Sequence, residues 1–170
     1  MTELRDCIPI LCTPFDAGDE IDAAGMRAQI DWVLTEGASG VATLALASEG
    51  YKLTDKERDA VTEIVVEHMA GRAPVVVSAD GAGTAVAIDR AKRAAAIGAD
   101  ALMVLPPYLV KPNRAALLDY YVRIADAVSI PIMIQDAPQL TGVAMGPALW
   151  NEIERHVRNP VYIKAEGTPQ

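Results

Sequence analysis

Short aliphatic runs alternate with longer segments of helical period along the whole chain, and this alternation narrows the fold more than any single motif. Ile8–Thr13, closed by Pro14, reads as a first strand. Asp22 is placed to cap a helix whose apolar positions Met26, Ile30, Val33 and Leu34 share one face, with Gly37 at its end. Gly40–Leu46 reads as a second strand. Thr54 and Glu57 have the spacing of a capping box before a helix carrying Val61, Ile64, Val65 and Met69. The pattern repeats with strands at Pro74–Ala79, Asp100–Leu105, Ile130–Gln135 and Val161–Lys164, and helices at Thr84–Ile97, Asn113–Ala127 and Pro147–Val157.

Six strands and five helices in this order imply parallel strands with right-handed crossovers. The strands are almost wholly apolar, as expected when helices cover one face and a core fills the other. A closed (β/α) barrel and an open doubly wound sheet both satisfy the pattern, and both gather ligands at the carboxyl ends of the strands. The 170 residues suit one domain. A full eight-stranded barrel takes about 250 residues, so the count is two βα units short. The expectation is a single domain over 1–170 that is a barrel truncated at its C-terminus, or a barrel completed by a partner. A self-sufficient six-stranded sheet is the alternative.

Apolar residues make up 51% of the chain, enough for a sizeable core, and the net charge is −8. No dense Lys/Arg cluster marks a nucleic-acid surface. The uncharged stretch Ala101–Val110 is too short for a bilayer and is broken by Pro106 and Pro107. Cys7 and Cys12 are too few for a disulfide framework, which points to a cytoplasmic protein, and their odd spacing sends them to opposite faces of a strand. They are expected as buried thiols. No metal-ligand spacing is visible, and neither a metal nor a cofactor is expected.

Lys164 ends an apolar strand at the rim where barrel chemistry collects. A desolvated lysine there retains more neutral amine, the form that attacks a ketone to give an imine. Emergence into solvent is the plainer alternative. Glu49 and Asp136 follow strands two and five and would face the same rim, as proton carriers or polar substrate contacts, or else as helix caps and loop salt bridges. Glu166 stands two residues past Lys164, and an ion pair between them would oppose nucleophilic use of the amine. Tyr108, after strand four, could donate a proton or pack over the rim. Gly81-Ala82-Gly83 has Val86 where a dinucleotide fingerprint needs a small residue, so it reads as a turn.

A series of landmarks in fixed order then carries a resemblance: Thr13-Pro14-Phe15 with Ile21-Asp22, Glu49 with Leu53-Thr54, Gly98-Ala99-Asp100, Pro107-Tyr108, Lys111-Pro112, Pro138 with Thr141-Gly142, and Ile163-Lys164. The chain resembles the dihydrodipicolinate synthase / N-acetylneuraminate lyase family. The resemblance implies a (β/α)8 barrel, usually a tetramer, with Lys164 in the place of the Schiff-base lysine of strand six. It implies a lyase or aldolase acting on pyruvate or a related 2-keto acid, with an aldehyde as possible second substrate, and a homo-oligomer, tetramer or dimer.

Several positions depart from the family pattern. The hydroxyl-rich turn after strand two, which holds the keto-acid carboxylate, is here Ala45-Leu46-Ala47-Ser48-Glu49, leaving backbone donors and Ser48. The proton-shuttling tyrosine after strand five is Gln135, an amide that cannot act as a phenol-like acid. Leu140 stands for an arginine and Leu109 for an interface tyrosine. The expected site is therefore Lys164 and Gln135 for catalysis, with Ala47, Ser48, Glu49 and Asp136 for the substrate. It is expected to serve an aldolase or dehydratase other than dihydrodipicolinate synthase itself. A binding paralogue without catalysis and a non-functional truncated product are the alternatives.

Overall fold

The computed structural model describes residues 3–167. Within them the chain forms two compact units, each described by itself: the chain up to Ser78 with Arg93–Ala101, and Ala79–Lys92 with the chain from Leu102 on.

In the first unit, Asp22 caps α1 (Ala23–Thr35), its carboxylate accepting from the amides of Ala24 and Gly25. Strand β1 (Val41–Thr43) pairs in parallel with β2 (Val75–Ser78). Between them lies α2 (Asp55–Met69), opened by the expected capping box of Thr54 and Glu57. Helix α1 packs on α2, and α2 packs on both strands. Leu11, Met26, Ile30, Val41, Val61, Val65, Met69 and Val76 are buried in this unit.

The run expected as a first strand makes one isolated bridge, Ile10 to Ala42, with the Leu11 amide donating to Ala42 O at 2.8 Å. Pro9 supplies no N–H and Pro14 ends the run, so five strands stand where six were expected among the described residues. Cys7 and Cys12 are exposed, not buried. Their segment is hydrogen-bonded along β1, and neither thiol lies under covering side chains.

Helix α3 (Thr84–Ile97) has the expected bounds and leads to β3 (Ala101–Val104), one residue shorter at each end than the expected strand. In the second unit β3 pairs in parallel with β4 (Ile132–Asp136), and β4 with β5 (Val161–Ala165). Asn113 caps α4 (Arg114–Asp126), as its position predicts. Two short elements have no sequence period to reveal them: a 3-10 turn at Gly50–Lys52 in the first unit, and the single-turn α5 (Pro138–Thr141) after β4. Helix α6 (Gly146–His156) follows and packs on α4.

Strand β5 is not the buried strand its composition suggests. It pairs with β4 along one edge, Ile163 is 37% exposed, and Ala165 is exposed. One-sided pairing leaves an apolar strand half covered, a property of the neighbours and not of its own residues.

Helix α6 lacks a cap from its own N-terminal residue. Asp136 supplies it from the end of β4: Oδ2 accepts from the amides of Met145 (3.2 Å) and Gly146 (2.9 Å) and from Trp150 Nε1 (3.1 Å). The carboxylate thus meets the positive end of the helix dipole. Replacing Asp136 by Leu strands these donors and is expected to lower unfolding free energy by about 3 kcal/mol. Asp136→Asn, which keeps an acceptor, should lose less. Urea titration followed by the fluorescence of Trp150 measures both, and equal stability of Asp136→Leu and wild type would refute the capping role.

Candidate active site

The register of β4 against β5 builds one cluster. Gln135 lies opposite Lys164, and Asp136 opposite Ala165. Alternation along a strand then sets Gln135 and Lys164 on one face and Asp136 on the other. Glu166 follows Lys164 by two residues and is tied in by its amide, which donates to Asp136 O at 2.8 Å. Its carboxylate accepts from both Lys164 Nζ and Gln135 Nε2. Gln135 is 1% exposed, and its Oε1 is buried without a hydrogen-bond partner.

Lys164 is therefore the cation of an ion pair and not the uncharged, shielded amine that its place in the sequence suggests; its side chain is 29% exposed. Partial burial pushes the Glu166 carboxyl up. Hydrogen bonds from Lys164 and Gln135 and the charge on Lys164 outweigh that and hold it below the ordinary glutamate value. Three polar side chains in contact make a site that can hold and pass a proton.

Asp136 was expected at the rim beside Lys164. It turns the other way because the pleat does, and Oδ2 is committed to α6. Its Oδ1 is buried without a partner. Tyr108 is 38% exposed, and Leu109, Val110 and Leu140 are exposed as well. Two tyrosines that the sequence gave no reason to single out, Tyr120 and Tyr121, are buried and pack edge to face at 5.2 Å. Burial raises both hydroxyls far above the usual phenol range. They act as framework: Tyr121 Oη donates to Val104 O at 3.2 Å.

The first unit holds the remaining expected residues in the loop after β1. Ser48 is 1% exposed, and its hydroxyl donates to Leu11 O at 2.6 Å. Its carbonyl accepts from Thr13 Oγ1 at 2.8 Å. The Ser48 side chain is thus a clamp on its own loop. Ala47 and Glu49 are exposed, and Glu49 pairs with Lys52 at 2.8 Å. Leu44 and Glu49 adopt positive φ, 61° and 54°. Gly50 is obligatory here, since a Cβ would come within 2.2 Å of Leu44 O. Arg58, 3% exposed, donates to Gly50 O and Ser78 O at 2.6 Å each. This buried guanidinium was not anticipated; a charged residue one position past a capping box reads as solvated surface. Such strain, held by three side-chain clamps, is characteristic of functional turns. Among the described residues no group of three His, Cys, Asp or Glu side chains could hold a metal ion, and no helix is long and apolar enough to cross a membrane.

Residues 3–167 match the Dihydrodipicolinate synthetase family. The L-2-keto-3-deoxyarabonate dehydratase of Azospirillum brasilense is 35% identical over 165 residues, covering 95% of this chain and 53% of the relative. The 4-hydroxy-tetrahydrodipicolinate synthase of Brucella abortus is 34% identical over 161 residues, covering 95% and 55%. Among solved structures, the dihydrodipicolinate synthase of Aquifex aeolicus superposes with a TM-score of 0.93 at 29% identity, over 98% of this chain and 56% of that one. YagE, an E. coli K12 prophage protein of the same family solved with pyruvate, gives 0.85 at 30% identity over 89% and 51%. The chain spans about half the length of the curated relatives it matches. The superpositions bear out the barrel fold class, with five of its parallel strands among the described residues. The chain belongs to the dihydrodipicolinate synthetase family.

Proposed function

We propose that the chain is a Schiff-base-forming lyase that acts on pyruvate or a related 2-keto acid, with Lys164 as the amine. The observation that carries this reading is the place of Lys164 at the carboxyl end of β5, opposite Gln135 on the parallel strand β4, where barrels of this kind do their chemistry; its ion pair with Glu166 opposes attack until the keto acid separates the two. Family membership and the pyruvate complex of YagE support the substrate class. The oligomeric state and the cytoplasmic location implied by the resemblance belong to the same proposal.

In the resting cluster Lys164 is ion-paired with Glu166. To attack, its ammonium passes a proton to Glu166 as the keto acid separates the pair. The neutral amine adds to C2, Glu166 returns the proton to the C2 hydroxyl so that it leaves as water, and a protonated imine remains. That cation draws electrons from the adjoining bonds, so a C–C or C–O bond can break without a metal. Glu166, released from the ion pair, is then the side chain beside Lys164 able to take or return a proton, a task for which the amide of Gln135 is chemically unsuited. Asp136 is left to hold α6. The loop of Ala47, Ser48 and Glu49 is proposed separately as an anion-binding turn working through its backbone amides, since its serine hydroxyl is already engaged.

Borohydride reduction in the presence of pyruvate tests the reading. An adduct of one reduced pyruvate is expected on Lys164, located by peptide mass spectrometry, and none on Lys164→Ala. Absence of an adduct with every short keto acid tried would overturn it.

A second outcome concerns pH. The folded-state value of Glu166 is depressed, so its contribution is present above the unfolded glutamate value of 4.5 and is lost as pH falls through the folded value. Wild type should therefore lose stability as pH falls below the unfolded glutamate value of 4.5, more steeply than Glu166→Gln. Parallel slopes in urea midpoints for the two proteins would remove the ion pair from the account.

A further inference from the structure

The second unit holds another polar site, built where the start of α4 meets the turn between α5 and α6. A cavity of about 220 Å³ is walled there by Lys111, Pro112 and Arg114 and by residues 142–145. Leu117 of α4 and Leu149 of α6 complete it. These two leucines, Val143 and Met145 are buried, while Lys111 and Arg114 are exposed. The cavity therefore has an apolar floor and charge at its edge. Its walls include none of Lys164, Gln135 and Glu166, so the site is independent of the imine chemistry.

Both cations are held in place with donors to spare. Gly142 has a left-handed backbone, φ 65°, and the Lys111 side chain lies across it. A Cβ at Gly142 would come within 2.6 Å of Lys111 Nζ and 2.9 Å of its Cε. The ammonium thus rests over backbone, and among the described residues no carboxylate or carbonyl accepts from it. Arg114 Nη2 donates to Ala148 O at 3.3 Å and to the Glu152 carboxylate. Those bonds use one nitrogen of the guanidinium, and Nε and Nη1 have no acceptor among the described residues. Glu152 steadies Arg114 and offsets one positive charge of two. One net positive charge is left beside an apolar floor, in a chain whose overall charge is −8.

A ligand that matches these walls has one negative charge, oxygens that accept from Lys111 and Arg114, and a hydrocarbon body. A carboxylate meets the planar fork of a guanidinium on two oxygens. A phosphate dianion exceeds the charge on offer and sets oxygens against Leu117, Val143, Met145 and Leu149, whose side chains donate nothing. At roughly 30 Å³ for each water-sized group, the cavity has room for about seven non-hydrogen atoms. We infer that this cavity binds a short aliphatic monocarboxylate, gripped by Lys111 and Arg114 at its charged end and by the apolar floor along its tail.

The probe is sodium 3-methylbutanoate, which has that size and no ketone from which to form an imine. It is titrated at constant ionic strength into the full chain labelled with nitrogen-15, and amide shifts are followed by heteronuclear NMR. Saturable shifts are expected at Arg114 and at residues 142–145, with half-saturation at about 1–10 mM, the range open to so small a ligand. The uncharged 3-methylbutanamide should leave these amides unmoved. Lys111→Met and Arg114→Gln should each raise the half-saturating concentration about tenfold, as loss of one charge-assisted hydrogen bond requires. Absence of saturable shifts at these amides up to about 100 mM, tenfold beyond the expected range, would overturn the inference. Equal binding of acid and amide, or an unchanged half-saturation in either variant, would do the same. Inorganic phosphate that binds as tightly as the carboxylate would overturn the ligand class. The acid and amide are compared on the unsubstituted protein, so a variant that fails to fold does not shield the claim.

Discussion

The site of the second unit depends on one constraint, the parallel register that sets Gln135 against Lys164. A strand's side chains alternate, so a slip of one residue would turn Lys164 toward the helix side and bring Asp136 to its place. Four of the five residues of β4 are buried, all but Met133, and five successive partners from Ile132–Val161 to Asp136–Ala165 hold the register. Asp136 then has a second part in the same constraint. By capping α6 it ties the end of β4 to a helix packed on α4, so the pleat cannot reverse without uncapping α6. Asp136, expected at the rim as a substrate contact, is engaged in capping α6, and Gln135 and Lys164 lie on the opposite face.

Glu166 belongs to that face through its amide as well as its side chain. The bond from its N–H to Asp136 O continues the β4–β5 ladder past the last strand residue, which keeps the carboxylate near the Lys164 nitrogen. A family tyrosine at the position of Gln135 would bring its own proton. An amide cannot, so the acid-base work proposed for this site shifts to the nearest carboxylate, and the amide holds that carboxylate in place.

Local signals in the sequence were legible because the interactions behind them are local. The caps at Asp22, Thr54 and Asn113 and the whole of α3 stand where spacing put them, since a cap is decided within four residues. Lys164 and Gln135 could be placed at strand ends for the same reason. What escaped the sequence is set at long range. Whether β5 is covered on both edges, whether Cys7 and Cys12 are buried, and which way Arg58 turns depend on neighbours far along the chain. The contacts of Ser48 and Asp136 are likewise set at long range. A hydroxyl and a carboxylate near a rim are read as ligands for substrate, yet each meets a stronger obligation first: Ser48 to Leu11 O, and Asp136 to the open end of α6.

The distribution of unpaired buried atoms bears on which of the polar residues can meet a substrate. Asp136 Oδ1 and Gln135 Oε1 both lack partners, but they lie on opposite faces of β4. The first shares a carboxylate whose other oxygen takes three donors from α6 and the turn before it, and it sits on the helix side. The second shares the face of Lys164. The two atoms look alike in accessibility, and the pleat separates them: one belongs to the carboxylate that caps α6, the other to the amide on the face of Lys164.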